Sequence, residues 1–316
     1  MTSDSSPDFY SAFENKYRGS PALVTERLSI YLPFVLPLAK AQPDLPWLDI
    51  GCGRGEWLKL LTQLSIACQG IDMHEGFVQA CQQQGLHVQK AEAIAWLQAQ
   101  PNQSFLGLSG FHIAEHLSFQ DLQALFQEAI RVLVPGGLLI LETPNPENLL
   151  VGASYFYLDP THQRPLPRQL LTFMAEHAGF ARFKHMGLQE EARLTAAFAL
   201  NAKTDPAPLQ LIDVLAGVSP DQAIVALTPM HLPMPPAFEE AWQQHHGVSL
   251  HELAERYEAL QKSKWPSEIQ AQLADQERTL HALRLQLEAL QQSKTWRLAN
   301  LFRQVYRALR SLLPRS

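Results

Sequence analysis

Three glycines at alternate positions, Gly51, Gly53 and Gly55, follow one apolar run and precede another. A turn of this kind brings backbone N–H groups and a helix N-terminus to the edge of a sheet, where a ligand can lie against the chain with no Cβ in its way. Asp49 stands just before the glycines, and Asp72 follows about twenty residues later. At that separation a carboxylate at a strand end can accept both hydroxyls of a ribose; capping the next helix is its competing use. Two imidazoles complete the set. His116 and His162 are each able to take a proton from a substrate hydroxyl. Against that stand plainer uses: His116 with Glu115 capping a helix, and His162 bracing a loop.

These residues need elements to hold them. Trp47 to Ile50 reads as a short buried strand, and Glu56 to Leu64 continues at helical spacing with Trp57, Leu58, Leu60, Leu61 and Leu64. Further strands are expected over Cys68 to Met73, Leu86 to Lys90, Ser104 to Phe111, Leu138 to Glu142, Ala181 to Gly187 and Gln222 to Leu227. Helices fall between them, and Leu133-Val-Pro-Gly-Gly137 reads as a turn. The fold class is therefore α/β, a seven-stranded Rossmann-like sheet followed by a C-terminal helical extension. The dinucleotide fingerprint wants its third glycine three residues after the second. Glu56 occupies that position here, and the third glycine comes earlier, at Gly55.

The pattern Asp-x-Gly-x-Gly-x-Gly over Asp49 to Gly55 resembles motif I of the class I S-adenosylmethionine (SAM)-dependent methyltransferases. That resemblance implies SAM as cofactor, with its amino acid end along the glycine loop and its ribose on Asp72. Met73 would line the adenine side, and Ala91 and Glu92 stand where many relatives carry Gly-Asp reaching the adenine amino group. His112 joins this set at the same sheet edge. A leading helix, Phe9 to Arg18, would fold over the cofactor as a lid and bring Tyr17 and Arg18 to it; packing its Phe9, Phe13 and Tyr17 stripe on the sheet is the alternative. The Glu115-His116-Leu117 step is common in a subgroup resembling ubiquinone-type O-methyltransferases. His112-Ile-Ala-Glu-His116 also resembles a zinc signature. It falls on a loop with no evident further ligand, so no metal is expected.

Hydrophobic content of 46% with 18% charged residues describes a soluble globular protein. No uncharged apolar run is expected to span a bilayer, the first residues lack the pattern of a signal peptide, and three cysteines without metal spacing read as reduced thiols in a cytoplasmic protein. The formal net charge is −6, and residues 293–316 carry six basic and no acidic side chains, so the remainder stands at −12. An acidic body argues against nucleic acid as partner. In the basic tail, Leu298, Leu301, Phe302, Val305, Leu309, Leu312 and Leu313 share one helical face opposite Arg303, Arg307 and Arg310. Such a helix suits an anionic membrane surface or a docking partner.

The domains expected are a helical lid over 1–40, a SAM-binding domain over 41–229, a helical or coiled-coil region over 237–292 and the tail over 293–316. Ile269, Leu273, Leu280, Leu283, Leu287 and Leu290 mark the coiled-coil face, open to self-association, a glycan-assembly partner or packing on the core. The tail's Ser293-Lys-Thr-Trp-Arg297 resembles tails of bacterial surface-polysaccharide enzymes, which implies O-methylation of a cell-surface glycan or its lipid-linked precursor beside the inner membrane. A quinone-type small-molecule O-methyltransferase and a catalytically silent methyltransferase-fold scaffold are the alternatives.

Overall fold

The computed structural model describes residues 16–189, 211–230, 233–263, 267–293 and Trp296. Seven strands form one sheet: β1 (Trp47–Ile50), β2 (Cys68–Asp72), β3 (Val88–Lys90), β4 (Phe105–Phe111), β5 (Leu133–Pro144), β6 (Arg182–Leu188) and β7 (Asp221–Leu227). Their order is β3-β2-β1-β4-β5-β7-β6, with β7 antiparallel to both neighbours and the other described pairs parallel. Parallel strands need crossover helices, and those helices cover both faces. That is why β4 is buried at every residue, from Phe105 to Phe111, without polar alternation.

The period of two survives inside the core. Leu138 and Ile140 of β5 face one apolar cluster and Leu139 and Leu141 face the other. The first cluster takes α1 (Pro21–Leu28), α2 (Leu32–Ala41), α3 (Glu56–Gln63) and α10 (Pro236–Gln243). The second takes α5 (Ala93–Gln98), α6 (Phe119–Val132) and α8 (Arg168–Ala178). A third, smaller group packs α4 (Glu75–Gln83) through Val78 and Cys81. Trp47 sets a local size limit, since a Cβ on Gly107 of the neighbouring strand would lie 2.2 Å from its ring.

Several expectations change. Pro135 and the paired glycines do not precede β5 as a turn: the strand runs through them from Leu133, with Gly136 at φ +76° and a register shift against β4 between Phe105 and Gly107. One break interrupts the helical stretch from Pro21 to Ala41. The break is the short 3₁₀ turn Ser29–Tyr31, while Pro33 sits in the first turn of α2, where its missing N–H has no partner to lose, and Pro37 lies within it. Pro21–Ala41 is, by length and composition alone, apolar enough to cross a membrane, with mean hydropathy 1.4. Tyr31, Phe34, Val35 and Leu38 are nonetheless buried in the core, which accounts for that composition.

The composition change at Ala237 is not the edge of the folded body. Phe238 and Trp242 of α10 pack on Phe34 of α2 with ring centroids 5.9 and 6.2 Å away. The chain divides into compact units at 1–254 and 255–316. α7 (Leu149–Ala153), α9 (Leu211–Ala216) and α11 (Leu250–Ser263) complete the described helices with α12, Ser267–Gln292. The expected coiled-coil residues of α12, Ile269 to Leu290, are between 37% and 58% exposed. The expected lid before Lys16 lies outside the described residues, as does the basic tail apart from Ser293 and Trp296.

Candidate functional site

The carboxyl ends of β1, β2, β4 and β5 form one edge, and the loop after β1 is its floor. Gly51, Gly53 and Gly55 all adopt left-handed backbone, at φ +62°, +51° and +76°. Side chains other than glycine rarely take that conformation. Each glycine also answers a different neighbour. A Cβ on Gly51 would stand 3.0 Å from Ile113, and one on Gly53 would stand 3.3 Å from the Arg18 guanidinium. At Gly55 it would meet Leu86 at 2.7 Å and Cys81 at 2.9 Å. Gly55 is thus a packing residue, behind the loop rather than on its open side.

Asp72 ties this loop to β2. Its Oδ2 accepts the Gly53 N–H at 2.8 Å, and its Oδ1 accepts the His74 N–H at 2.7 Å. Two charge-assisted bonds fix the carboxylate at the strand end, and each oxygen keeps a further lone pair. Asp49, expected beside the ligand, is instead buried under the loop. Ser109 Oγ donates to its Oδ1 at 2.6 Å, and Trp47 Nε1 donates to Ser109 Oγ at 3.0 Å. Burial, opposed by the Ser109 hydrogen bond, raises the Asp49 pKa to about 7.

Two cavities open along this edge. The first, about 430 Å³, is lined by Arg18, Gly51, Gly53, Asp72, Met73, His74 and Phe77 on one side and by Ala91, Glu92, His112, His116 and Thr161 on the other. Asp49, Gly55 and Tyr17 are not on its wall. Glu92 is already engaged as the cap of α5, accepting from Ile94 N at 2.9 Å and Ala95 N at 2.7 Å. The second cavity, about 590 Å³, is lined by Tyr17, Arg18, Arg27, Tyr155, Asp159 and His162 with Glu142 and Asp221. His112, His116 and Arg18 belong to both walls.

The shared wall is strongly charged. His112 follows β4 with φ +57°, and its ring lies among three carboxylates: Nδ1 is 3.3 Å from Glu115, while Nε2 is 3.4 Å from Glu142 and 3.9 Å from Asp221. Burial alone would lower its pKa, but Asp221, Glu115 and Glu142 outweigh it and raise it well above the usual imidazole value. Burial raises Asp221 to about 6, with His112 pulling the other way. Tyr31, fully buried, donates its hydroxyl to Glu142 at 2.5 Å, and burial followed by the Glu142 charge raises its pKa well above 10.0.

His116 and His162 meet, with ring centroids 4.7 Å apart. His116 Nδ1 lies 2.8 Å from Thr161 Oγ1, which in turn lies 2.6 Å from Asp159 Oδ1. His162 Nδ1 is 2.6 Å from the Phe156 carbonyl oxygen. The Gln163 N–H donates to the Glu115 carbonyl at 2.8 Å and fastens the two loops together. Burial lowers the His116 pKa. The sequence showed the chemical type of these residues. It did not show Glu142, Asp221, Tyr31 or Thr161, which carry no local signature.

The first cavity fits a nucleoside-bearing sulfonium ligand. Arg18 lies over the glycine cradle, Asp72 offers lone pairs beside it, and Met73 and Phe77 supply an apolar flank.

Residues 24–184 match the family model described as a methyltransferase domain. A probable S-adenosylmethionine-dependent methyltransferase of Mycolicibacterium smegmatis is 30% identical over 133 residues, 42% of this chain and 51% of that protein. The chain thus spans about half the length of this curated relative. The crystal structure of a SAM-dependent methyltransferase from Archaeoglobus fulgidus superposes with a TM-score of 0.60 at 30% identity, over 70% of this chain and 100% of that one. With the glycine loop, the acid at the end of β2 and the antiparallel β7, these matches lead to one conclusion: the chain belongs to the methyltransferase-domain family of class I SAM-dependent methyltransferases, whose cofactor is S-adenosylmethionine.

Proposed function

We propose that the chain transfers a methyl group from SAM to a hydroxyl of a bacterial cell-surface glycan or its lipid-linked precursor. The observation that carries this reading is the wall shared by two cavities, at Arg18, His112 and His116. Cofactor and acceptor would each have a chamber, with their reacting atoms at the boundary. Gly51 and Gly53 would hold the amino acid end of SAM under Arg18, Asp72 the ribose, and Met73, Phe77, Ala91 and Glu92 the adenine.

Features of the second cavity favour a polyhydroxylated acceptor. Asp159, Glu142 and Asp221 offer carboxylate oxygens to hydroxyl donors, and Tyr17 and Tyr155 present rings 55% and 57% exposed against which a sugar face can lie. The cofactor supplies an electrophilic methyl on a sulfonium, and the protein supplies alignment. Positioning of this kind is worth roughly 7–11 kcal/mol of a bimolecular barrier. Activation of the acceptor hydroxyl falls to His116 and His162.

The place of action proposed is the cytoplasmic face of the inner membrane, on the strength of the basic amphipathic sequence over 293–316. The α12 stripe would serve self-association or a glycan-assembly partner. SAM carrying a tritiated methyl, incubated with the protein and cell-envelope fractions, tests the acceptor. Label in the glycan or its lipid-linked precursor supports the proposal. Label in a quinone-type small molecule, or no label at all, refutes it.

A further inference from the structure

Glu115 is the least satisfied polar side chain near this wall. Its side chain is 0% exposed, yet neither carboxylate oxygen accepts a hydrogen bond among the described residues. The ring of His112 beside it is shared with Glu142 and Asp221.

The tautomers of the two other histidines follow from their partners. A carbonyl oxygen only accepts, so His162 Nδ1 carries a hydrogen towards Phe156, and in the neutral ring Nε2 is then the acceptor. That Nε2 lies 3.9 Å from Glu115 Oε1. Thr161 Oγ1 gives its own hydrogen to Asp159, so it accepts from His116 Nδ1, and in the neutral ring Nε2 of His116 is the acceptor as well. One ligand atom from each of Glu115, His116 and His162 lies within 4.8 Å of the others. Three potential donor atoms are thus gathered beside a buried carboxylate that accepts no hydrogen bond among the described residues.

We infer that Glu115, His116 and His162 bind a divalent first-row transition-metal ion whose remaining positions face the acceptor cavity. Two imidazoles and one carboxylate suit manganese, iron, cobalt or zinc better than magnesium or calcium, which prefer all-oxygen sets. The hydrogen bonds from His116 to Thr161 and from His162 to Phe156 are the outer contacts that orient metal-binding imidazoles. A second group, His112 with Glu142 and Asp221, has similar geometry. There a single imidazole is spread over three carboxyl groups and no second imidazole joins the set. Glu115 and His116 come from the segment after β4, and His162 is brought to them by the segment after β5.

The site deepens the proposed reaction and rests on it only for its role. An acceptor hydroxyl bound to the ion would lose its proton to water in the open cavity, leaving the oxygen lone pair free to form the new carbon–oxygen bond while the carbon–sulfur pair returns to sulfur.

The test uses the full chain after dialysis against a chelator. Cobalt(II) is titrated by its visible absorption and zinc by competition calorimetry, with SAM affinity measured on the same samples. One ion per chain is expected. His162→Ala and Glu115→Gln should each weaken binding by more than about 100-fold, beyond the 10–100-fold typical of an outer contact, and Thr161→Val should fall within that 10–100-fold range. Where Glu115→Gln does not fold, the loop variant His162→Ala carries the test. An absence of bound ion in the wild type, or unchanged affinity in His162→Ala, overturns the site. Methyl transfer without any bound ion overturns it too and leaves the proposed function standing. Ion binding lost in the variants supports it even where no acceptor is methylated.

Discussion

Replacing Asp72 with asparagine should separate its two tasks, holding the loop and holding the ribose. The carboxylate accepts Gly53 N–H on one oxygen and His74 N–H on the other. Asparagine is isosteric but has one acceptor oxygen, so in either orientation an amide NH₂ faces a backbone donor. A hydrogen bond to a charged group contributes about 1.5–3 kcal/mol, and an unsatisfied donor costs about 1–3 kcal/mol. The ribose would lose at least one such bond as well. Counting only that one, SAM affinity should fall about 10- to 150-fold, since each 1.4 kcal/mol is tenfold. Calorimetric titration with SAM measures the affinity, and thermal unfolding of the same sample separates loop damage from ligand loss. A folded Asp72→Asn variant that bound SAM as tightly as the wild type would refute the ribose assignment.

Other perturbations reach different parts of the account. Gly107→Ala should destabilise the fold by about 1–3 kcal/mol in chemical denaturation, because its Cβ would stand 2.2 Å from Trp47; unchanged stability would show that this contact yields. Asp49 has a folded pKa raised from 3.8 to about 7, so its contribution is present in acid and lost as pH rises through that value. The ionised form disfavours folding by up to about 4 kcal/mol, and Asp49→Asn should therefore gain stability on the wild type at pH 8 but little at pH 4. An equal difference at both pH values would contradict the buried-carboxyl reading. Deleting residues 293–316 should release the protein from anionic vesicles in a sedimentation assay and leave SAM affinity unchanged. Continued sedimentation would move membrane attachment elsewhere in the chain.

The glycine loop and Asp72 were legible because their constraints are local. A left-handed turn between a strand and a helix favours glycine, and an acid at the strand end holds that turn by accepting the Gly53 and His74 N–H groups. The strands were legible for a similar reason, since burial on both faces leaves runs such as Leu138 to Leu141 wholly apolar. Asp49 and Gly55 belonged to the motif yet serve packing, because a motif fixes residue types and not which side of the loop they face. The charged wall was not legible. Tyr31 and Glu142 are 111 positions apart, and Asp221 reaches them only through the antiparallel register that sets Pro144 opposite Asp221. His116 and His162 were recognisable one by one; their meeting depends on how two loops fold onto each other.

Everything above hangs on the occupant of the cavity between Gly53, Asp72 and Glu92. Calorimetric titration of the purified chain with SAM, S-adenosylhomocysteine and NAD tests it most directly. The account predicts one SAM per chain, displaced by S-adenosylhomocysteine and not by NAD. No heat with SAM, or saturable binding of the nicotinamide nucleotide in its place, would contradict it.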